Sequence, residues 1–124
     1  MRSNEALTIG QVTALTGVPA STLRYWEGIG LLSGVRRDAS GRRAFAEGDV
    51  EWVGFVLRLR ESGMPLADMV AYAKLRGEGD STKVARLTLL KSHRDELERR
   101  IAMEQEHARA LDTKIAWYEE RIQT

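Results

Sequence analysis

The stretch that follows Gly79 constrains the fold most, because it contains neither glycine nor proline through Thr124. Residues that break helices are therefore absent, and the sequence predicts a single long helix over residues 80–124. At 1.5 Å per residue, that helix would be about 60 Å long. The small domain that precedes it offers too little surface to cover one whole side of such a helix. We therefore expect a second helix to serve as its partner.

Apolar residues in this segment recur with alternating spacings of three and four, which is the heptad pattern of a coiled coil. Two positions of this seam are charged, Arg94 and Glu104. In a parallel homodimer each charge would face its own copy, which costs free energy in an apolar seam. In an antiparallel homodimer centred near residues 98–99, Arg94 faces Glu104 of the other chain. The sequence therefore predicts an antiparallel dimer, with an intramolecular hairpin as the alternative.

This register also predicts what lies at the two ends of the seam. The aromatic residues Trp117 and Tyr118 fall near residues 76–80 of the second copy, where Gly77 and Gly79 indicate a linker. We expect these two aromatic residues to form an effector or signal contact. The predicted dimerisation residues along the seam are Leu87, Leu90, Arg94, Leu97, Ile101, Glu104, Ala108, Leu111 and Ile115.

The beginning of the chain carries the signals of two short helices. Thr8 and Gln11 form a capping box, which predicts a helix that starts at Ile9. Gly17 suits the left-handed residue that ends such a helix, and Pro19 is tolerated where the next helix begins. Two short helices joined by a glycine turn indicate a helix-turn-helix, whose second helix enters the DNA major groove. The residues predicted to reach DNA from this second helix are Ser21, Thr22, Arg24, Tyr25 and Trp26.

A basic segment follows, with a turn signal at residues 38–41 between two short extended pieces. This pattern predicts a β-hairpin, the wing of a winged helix-turn-helix. Residues 1–45 carry six arginines against three acids, a net charge of +3, which suits contact with phosphates. An ordinary solvated loop is the alternative interpretation of the same charges. The arginines predicted to contact phosphates from the wing are Arg36, Arg37, Arg42 and Arg43.

Two further helices complete the predicted first domain, which covers residues 1–76. The third is expected over residues 47–61 and the fourth over residues 66–75, with a break at residues 62–65. The expected fold class is therefore mainly α. It consists of a winged helix-turn-helix DNA-binding domain followed by a long C-terminal helix that forms an antiparallel coiled-coil dimer.

The residue types that the sequence lacks exclude several kinds of site. Without cysteine there is no disulfide, thiolate-bound zinc or iron–sulfur cluster. His93 and His107 would lie two heptads, about 20 Å, apart on one helix, so we expect no metal site from them. No nucleophile–base–acid set or phosphate-binding glycine loop occurs, so we expect neither an enzyme nor a cofactor. No apolar run is long enough to cross a membrane, and we expect a soluble cytoplasmic protein without a membrane partner.

Several short motifs occur in a fixed order between residues 7 and 75. They are Ile9-Gly10-Gln11-Val12, Gly17-Val18, Thr22-Leu23-Arg24-Tyr25-Trp26-Glu27, Gly30-Leu31-Leu32, Arg37, Gly41-Arg42-Arg43-Ala44-Phe45 and Asp49-Val50. Together they resemble the MerR family of bacterial transcription regulators, of which this chain would be a short member without cysteine. The long terminal helix is similar to the antiparallel dimerisation helix of that family.

The resemblance implies a homodimer that binds double-stranded DNA at a palindromic operator within a promoter. Such a dimer is expected to bend and untwist an overlong spacer so that RNA polymerase can use the promoter, which makes DNA stiffness part of specificity. It also implies a bacterial cytoplasmic protein associated with the nucleoid.

The resemblance further implies roles for individual residues. Arg24 would be the recognition-helix arginine, and Tyr25 and Trp26 would flank phosphates. Trp26 stands where the family usually has tyrosine, so an indole N–H would replace a hydroxyl donor. Arg60, just before a second wing at residues 62–65, would be a further backbone contact. The wing arginines that the family uses correspond to Arg37 and Arg43.

Three interpretations remain open at this point. The first is a regulator with a small organic effector, similar to short relatives linked to aldehyde or oxidoreductase genes. The second is a ligand-independent repressor or architectural DNA-binding protein. The third is a coiled-coil protein-interaction adaptor that has lost DNA binding, against which Arg24 and the wing arginines argue.

Overall fold

A computed structural model describes residues 6–122 of the chain, and these residues are mainly helical, as the sequence predicts. Their contacts separate two compact units, Met1–Leu89 and Leu90–Thr124. Residues 1–5 and 123–124 lie outside the described part, so the last two positions of the predicted long helix do too. Within the described part, no helix is both long and apolar enough to cross a membrane. In chain order the elements are α1 (Ile9–Thr16), α2 (Ala20–Gly28), β1 (Arg36–Arg37), β2 (Arg43–Ala44), α3 (Glu47–Glu61), α4 (Leu66–Gly77), a 3-10 helix (Asp80–Thr82) and α5 (Lys83–Ile122).

The helix-turn-helix forms as the sequence predicts. The Thr8 hydroxyl accepts the Gln11 backbone N–H at 3.1 Å, and the Gln11 side chain accepts the Thr8 N–H at 2.8 Å. This capping box satisfies two backbone donors at the start of α1. Gly17 ends α1 with φ of 80°, a left-handed backbone that favours glycine. Pro19 then occupies the N-cap of α2.

The core of the first unit draws side chains from all four of its α-helices before α5 and from the chain between them. Trp52 is held in place because its indole N–H donates to the Leu31 carbonyl oxygen at 2.8 Å. Full burial of one large apolar side chain stabilises a fold by about 1.5–3 kcal/mol. The buried apolar residues are Val12, Val18, Leu23, Trp26, Leu31, Leu32, Phe45, Trp52, Val53, Val56, Leu59, Met64, Met69 and Tyr72.

The wing is an antiparallel hairpin of β1 and β2. Asp38 closes its turn, because one carboxylate oxygen accepts the backbone N–H groups of Ser40 at 2.9 Å and Arg42 at 3.0 Å. At the base of the hairpin, Leu7 and Phe45 exchange two backbone hydrogen bonds of 2.8 Å. The Phe45 side chain is completely buried, so the predicted basic loop is an ordered hairpin attached to the core.

The next two helices also match the prediction closely. α3 has the predicted bounds, although Ala46 at its N-cap has no side-chain acceptor. The Asp49 carboxylate compensates by accepting the Ala46 backbone N–H at 2.8 Å. Gly63, with φ of 87°, turns the chain into α4, which ends at Gly77, two residues later than predicted.

A compact turn replaces the predicted linker before the long helix. Gly79 adopts φ of 96°, and the 3-10 helix follows it directly. The buried Thr82 hydroxyl lies 2.6 Å from the Leu75 carbonyl oxygen and 2.8 Å from that of Gly79. Arg86 donates to the Thr82 hydroxyl at 3.0 Å and to the Gly79 carbonyl at 3.1 Å. These bonds fix the first turns of α5, which begins at Lys83 rather than at residue 80.

The second unit consists of the remainder of α5, and none of its described residues is buried. Because the helix is continuous from Lys83 to Ile122, the intramolecular hairpin considered above is wrong. The seam residues form an apolar row in which Ile101 is 49% exposed. Arg94 lies beside Asp95, and Glu104 accepts from His107, so within one chain the two seam charges do not meet.

Candidate nucleic-acid interface

The second helix of the helix-turn-helix exposes one polar face. Ser21, Arg24 and Tyr25 are exposed on α2, and Thr22 is partly covered. The spacing of three and four residues places them on one side of the helix, as the sequence predicts. The other side packs into the core, so the face that carries Arg24 is held rigidly.

Trp26 belongs to the buried side of α2, with only 4% of its surface exposed. It lies three residues after Leu23, which is also buried, so both share the core-facing stripe of the helix. The ring is therefore almost completely covered by the fold, and the predicted contact of its indole N–H with a phosphate stays a prediction.

A recess of about 420 Å³ connects α2 with the predicted second wing. Its polar side is formed by Thr22, Tyr25 and the exposed Arg60, and Trp26 forms part of its wall. The structure therefore brings together α2 and a cation, Arg60, that lies far from it in sequence. A hydroxyl, a phenol and a guanidinium around one recess are donors suited to a DNA phosphate. The remaining lining residues are Met64, Leu66 and Met69.

Three wing arginines are exposed, namely Arg36, Arg37 and Arg42. Arg37 donates to the Gly41 carbonyl oxygen at 3.0 Å, so its side chain lies along the turn. The other two have no ion pair within the described residues 6–122. Their guanidinium groups are available to phosphates.

Arg43 differs from the other wing arginines. Its Nε donates to the Glu27 carboxylate at 2.6 Å, and the two side chains are only 22% and 25% exposed. The bond ties β2 of the wing to the last turn of α2, so Arg43 sets the position of the wing relative to the recognition helix. Sequence reasoning assigned Arg43 to phosphate and overlooked Glu27. An acid at the end of a helix that is followed by several arginines is itself a signal, because one of those cations can pair with it.

Both acids of the interface already have hydrogen-bond partners within the fold. Between residues 6 and 45 five arginines and two acids give a net charge of +3. Glu27 is engaged by Arg43, and Asp38 by backbone N–H groups of the turn. The remaining arginines of this segment form no ion pair within the described residues, which favours binding to a polyanion.

The predicted effector residues lie on α5 in the second unit. Trp117 and Tyr118 are about half exposed and contact each other edge-on, with ring centroids 4.9 Å apart. Arg121 and Lys114 lie over the Trp117 ring, at 3.7 and 5.0 Å from its centroid. Among residues 6–122, no cluster of three or more His, Cys, Asp or Glu side chains could hold a metal ion.

Family models match most of the chain. Residues 7–75 match the model described as MerR HTH family regulatory protein, and residues 50–114 match the model described as MerR, DNA binding. The first match covers the helix-turn-helix, the wing, α3 and most of α4, which are the elements that form the interface.

The HTH-type transcriptional regulator AdhR of Bacillus subtilis is 37% identical over 91 residues. That alignment covers 73% of this chain, but the chain spans only 65% of the length of AdhR.

Two solved structures extend the similarity to the fold. A MerR family protein from Listeria monocytogenes has a TM-score of 0.86 and 38% identity, over 92% of this chain and 86% of that one. HiNmlR, a MerR family regulator lacking the sensor domain and crystallised bound to promoter DNA, has a TM-score of 0.81 and 30% identity. That second match covers 93% of this chain and 91% of HiNmlR.

Proposed function

Since the chain belongs to the MerR family of DNA-binding transcriptional regulators, we propose that it acts as a homodimer that bends and untwists a palindromic promoter operator. Its relatives are regulators and not enzymes, in agreement with the expectation from sequence. RNA polymerase at the same promoter is the proposed second partner, and binding there would associate the protein with the nucleoid.

The proposal rests on the exposed cations of α2, the wing and Arg60, which we take as one basic face because Arg43 bonds the wing to α2 and Arg60 shares a recess with α2. In it Arg24 reads bases, and Ser21, Thr22 and Tyr25 position α2 on the backbone. The exposed wing arginines and Arg60 add phosphate contacts. Arg43 positions the wing through Glu27. HiNmlR, which has the same fold, was crystallised with promoter DNA, and this supports a DNA duplex as the ligand.

The exposed seam on α5 supports the homodimer. A single chain leaves an apolar row uncovered along a 40-residue helix, and an antiparallel second copy would cover it. In that arrangement Arg94 of one copy meets Glu104 of the other, which neutralises both seam charges. Two copies of the basic face then contact the two halves of a palindrome.

In this proposal the DNA is deformed because the dimer holds two rigid basic faces in a fixed relation, and both half-sites must meet them at once. Bending and untwisting cost free energy that depends on the sequence between the half-sites, so specificity arises partly at positions the protein does not touch. A small organic effector near Trp117 and Tyr118 would select between DNA-bound states. The second candidate is a ligand-independent repressor or architectural protein with the same interface.

A gel-shift titration on the DNA upstream of its own gene tests binding. Arg24→Ala should weaken specific binding about tenfold to a hundredfold, as loss of about 1–3 kcal/mol of base contact predicts. Arg109→Ala, which removes an exposed arginine of α5 outside the seam, is the matched control and should leave affinity unchanged. No shift of any duplex at low salt would instead support the adaptor interpretation. Circular-permutation assays with the same DNA measure the bend.

Cysteine crosslinking tests the dimer, because the natural chain contains no cysteine. Separately purified Arg94→Cys and Glu104→Cys proteins should crosslink efficiently when mixed and poorly when each is alone. Efficient crosslinking of Arg94→Cys with itself would contradict the antiparallel register. A lone subunit at micromolar concentration in sedimentation would contradict the homodimer altogether.

A further inference from the structure

The two histidines of the chain occupy the same position in two different heptads of the second unit. His93 and His107 are 14 residues apart, and each follows a seam residue, Leu90 or Glu104, by three positions. On one helix they are about 20 Å apart, so a single chain cannot bring both to the same ion. Both nevertheless lie beside the seam on the same flank of the helix. His93 is half-buried and His107 is exposed.

The proposed antiparallel register brings the two histidines together from different copies. When Arg94 faces Glu104 of the second copy, His93 lies two residues, about 3 Å along the axis, from the level of His107 of that copy. The two-fold axis crosses the pair of helices at right angles, so the same flank of both helices lies on one side of the dimer. Residues beside the seam are those that contact each other across a two-stranded coiled coil. The dimer therefore contains two equivalent pairs, each with one His93 and one His107 from different copies.

Carboxylates next to both histidines suit metal binding. Glu104 Oε1 lies 3.1 Å from His107 Nδ1. With Nδ1–H donating to this carboxylate, the neutral imidazole presents Nε2 to a metal ion, as metal-binding histidines usually do. Imidazole has two ring nitrogens, so His93 offers one to a metal ion even when the other is hydrogen-bonded. Glu96 follows His93 by three residues on the same face of the helix and forms an ion pair with Arg99 within one chain.

The charges around each histidine pair are compatible with a bound cation. Arg94, next to His93, contacts Asp95 within one chain and meets Glu104 of the second copy in the proposed dimer, so its charge is neutralised. Arg100 of either copy lies about 7 Å or farther along the axis. Imidazole and carboxylate ligands suit Zn²⁺, whereas Mg²⁺ prefers oxygen ligands and retains its water.

We propose that His93 of one copy and His107 of the other bind one Zn²⁺ ion, with Glu96 and water completing the coordination. The dimer contains two such sites. The inference rests on the proposed antiparallel homodimer and adds a metal site that only the assembled dimer contains. Because each ion connects the two copies, zinc binding strengthens dimerisation, and dimerisation in turn raises the affinity for zinc. Zinc availability then controls how much of the protein is assembled to bind a palindrome.

Calorimetric titration of the full-length protein with Zn²⁺ tests the site. Wild type should bind two ions per dimer. His93→Ala and His107→Ala should each bind about tenfold more weakly or worse, because each variant lacks one ligand at both sites. When the two variants are mixed, the mixed dimer retains one complete site, so tight binding should return at one ion per mixed dimer. Ser92→Ala, an exposed neighbour on the same helix, is the matched control and should bind zinc as wild type does.

The Arg94→Cys and Glu104→Cys pair, crosslinked in the presence of a chelator, separates the two possible failures. If that pair crosslinks but the histidine mixture binds zinc no better than its components, the shared site is overturned and the dimer stands. If the crosslink and the recovery of zinc binding both fail, the dimer itself is rejected. Equal zinc binding by wild type and both histidine variants would mean an adventitious ion only. In sedimentation equilibrium, Zn²⁺ should shift wild type toward the dimer and Mg²⁺ should not, and an equal zinc shift in His93→Ala would also overturn the site.

Discussion

The two units of this chain differ in whether their apolar residues are buried within the chain. In the first, Val12, Phe45 and Val53 are completely covered by the same chain. In the second, an apolar row on α5 remains uncovered along the described helix. The comparison indicates that the DNA-binding unit derives its stability from its own core, whereas α5 would be stabilised by the second copy of the proposed homodimer. On that proposal, folding of the first unit and dimerisation through the second are separable, and substitutions can test each.

The largest effect is expected from Phe45→Ala. Phe45 is buried at the base of the wing, and truncation of a buried phenylalanine typically costs about 3–5 kcal/mol of unfolding free energy. Urea denaturation followed by circular dichroism measures this loss. Leu15→Ala is the matched control, because Leu15 is an exposed apolar residue of the same unit and should change stability little. Equal effects of the two changes would contradict the closed core.

Ile101→Ala tests the other unit. Ile101 is 49% exposed in one chain, so the substitution would cost a monomer little stability. In the proposed dimer, however, Ile101 faces Leu97 of the second copy. We expect a loss of about 2 kcal/mol or more per copy, the lower end of values for buried isoleucine. The loss should appear as weaker dimerisation in sedimentation equilibrium. Met103→Ala lies outside the seam and should leave the dimer intact. If Ile101→Ala and Met103→Ala weaken dimerisation equally, the proposed seam is wrong.

Glu27→Gln tests the connection between α2 and the wing. A hydrogen bond to a charged group contributes about 1.5–3 kcal/mol, and the partly covered Arg43 would lose its counter-charge. We expect faster proteolysis in the wing and weaker discrimination between operator and random DNA. The salt dependence of binding should remain, because the exposed arginines are untouched. If the variant is less stable but still discriminates operator from random DNA as well as the wild type does, Glu27 does not position the wing for DNA binding.

The smallest effect is expected from Thr8→Ala. The change removes the hydroxyl that accepts the Gln11 N–H and should cost about 1 kcal/mol. Thermal unfolding monitored by circular dichroism measures this loss. The dimerisation constant should not change, because α1 belongs to the first unit only. Weakened dimerisation in this variant would show that the two units are not separable.

Local signals in the sequence predicted most of the elements. The capping box of Thr8, the left-handed Gly17 and the turn at Asp38 act through residues within four positions of each other. Such contacts are visible in the order of residue types, which explains why α1, the wing and the bounds of α3 were predictable. The uninterrupted run after Gly79 predicted α5 in the same way.

Features made by distant residues were not predictable. Trp26 could have faced either side of α2, and only packing against the rest of the core decided its burial. The Glu27–Arg43 bond joins residues 16 positions apart across a helix and a strand. Tyr72 of α4 contacts Trp52 and Phe55 of α3, so this aromatic cluster was also missed. In each case the deciding contact is tertiary.

The wing turn also makes the protein convenient to label. Because Asp38 closes the turn through backbone N–H groups, the exposed side chains of Ala39 and Ser40 make no contribution to that closure. A thiol-reactive dye on Ser40→Cys would be unique in this cysteine-free chain. Its fluorescence would report the arrival of the hairpin tip at a duplex in real time, with the hydrogen bonds of the turn intact.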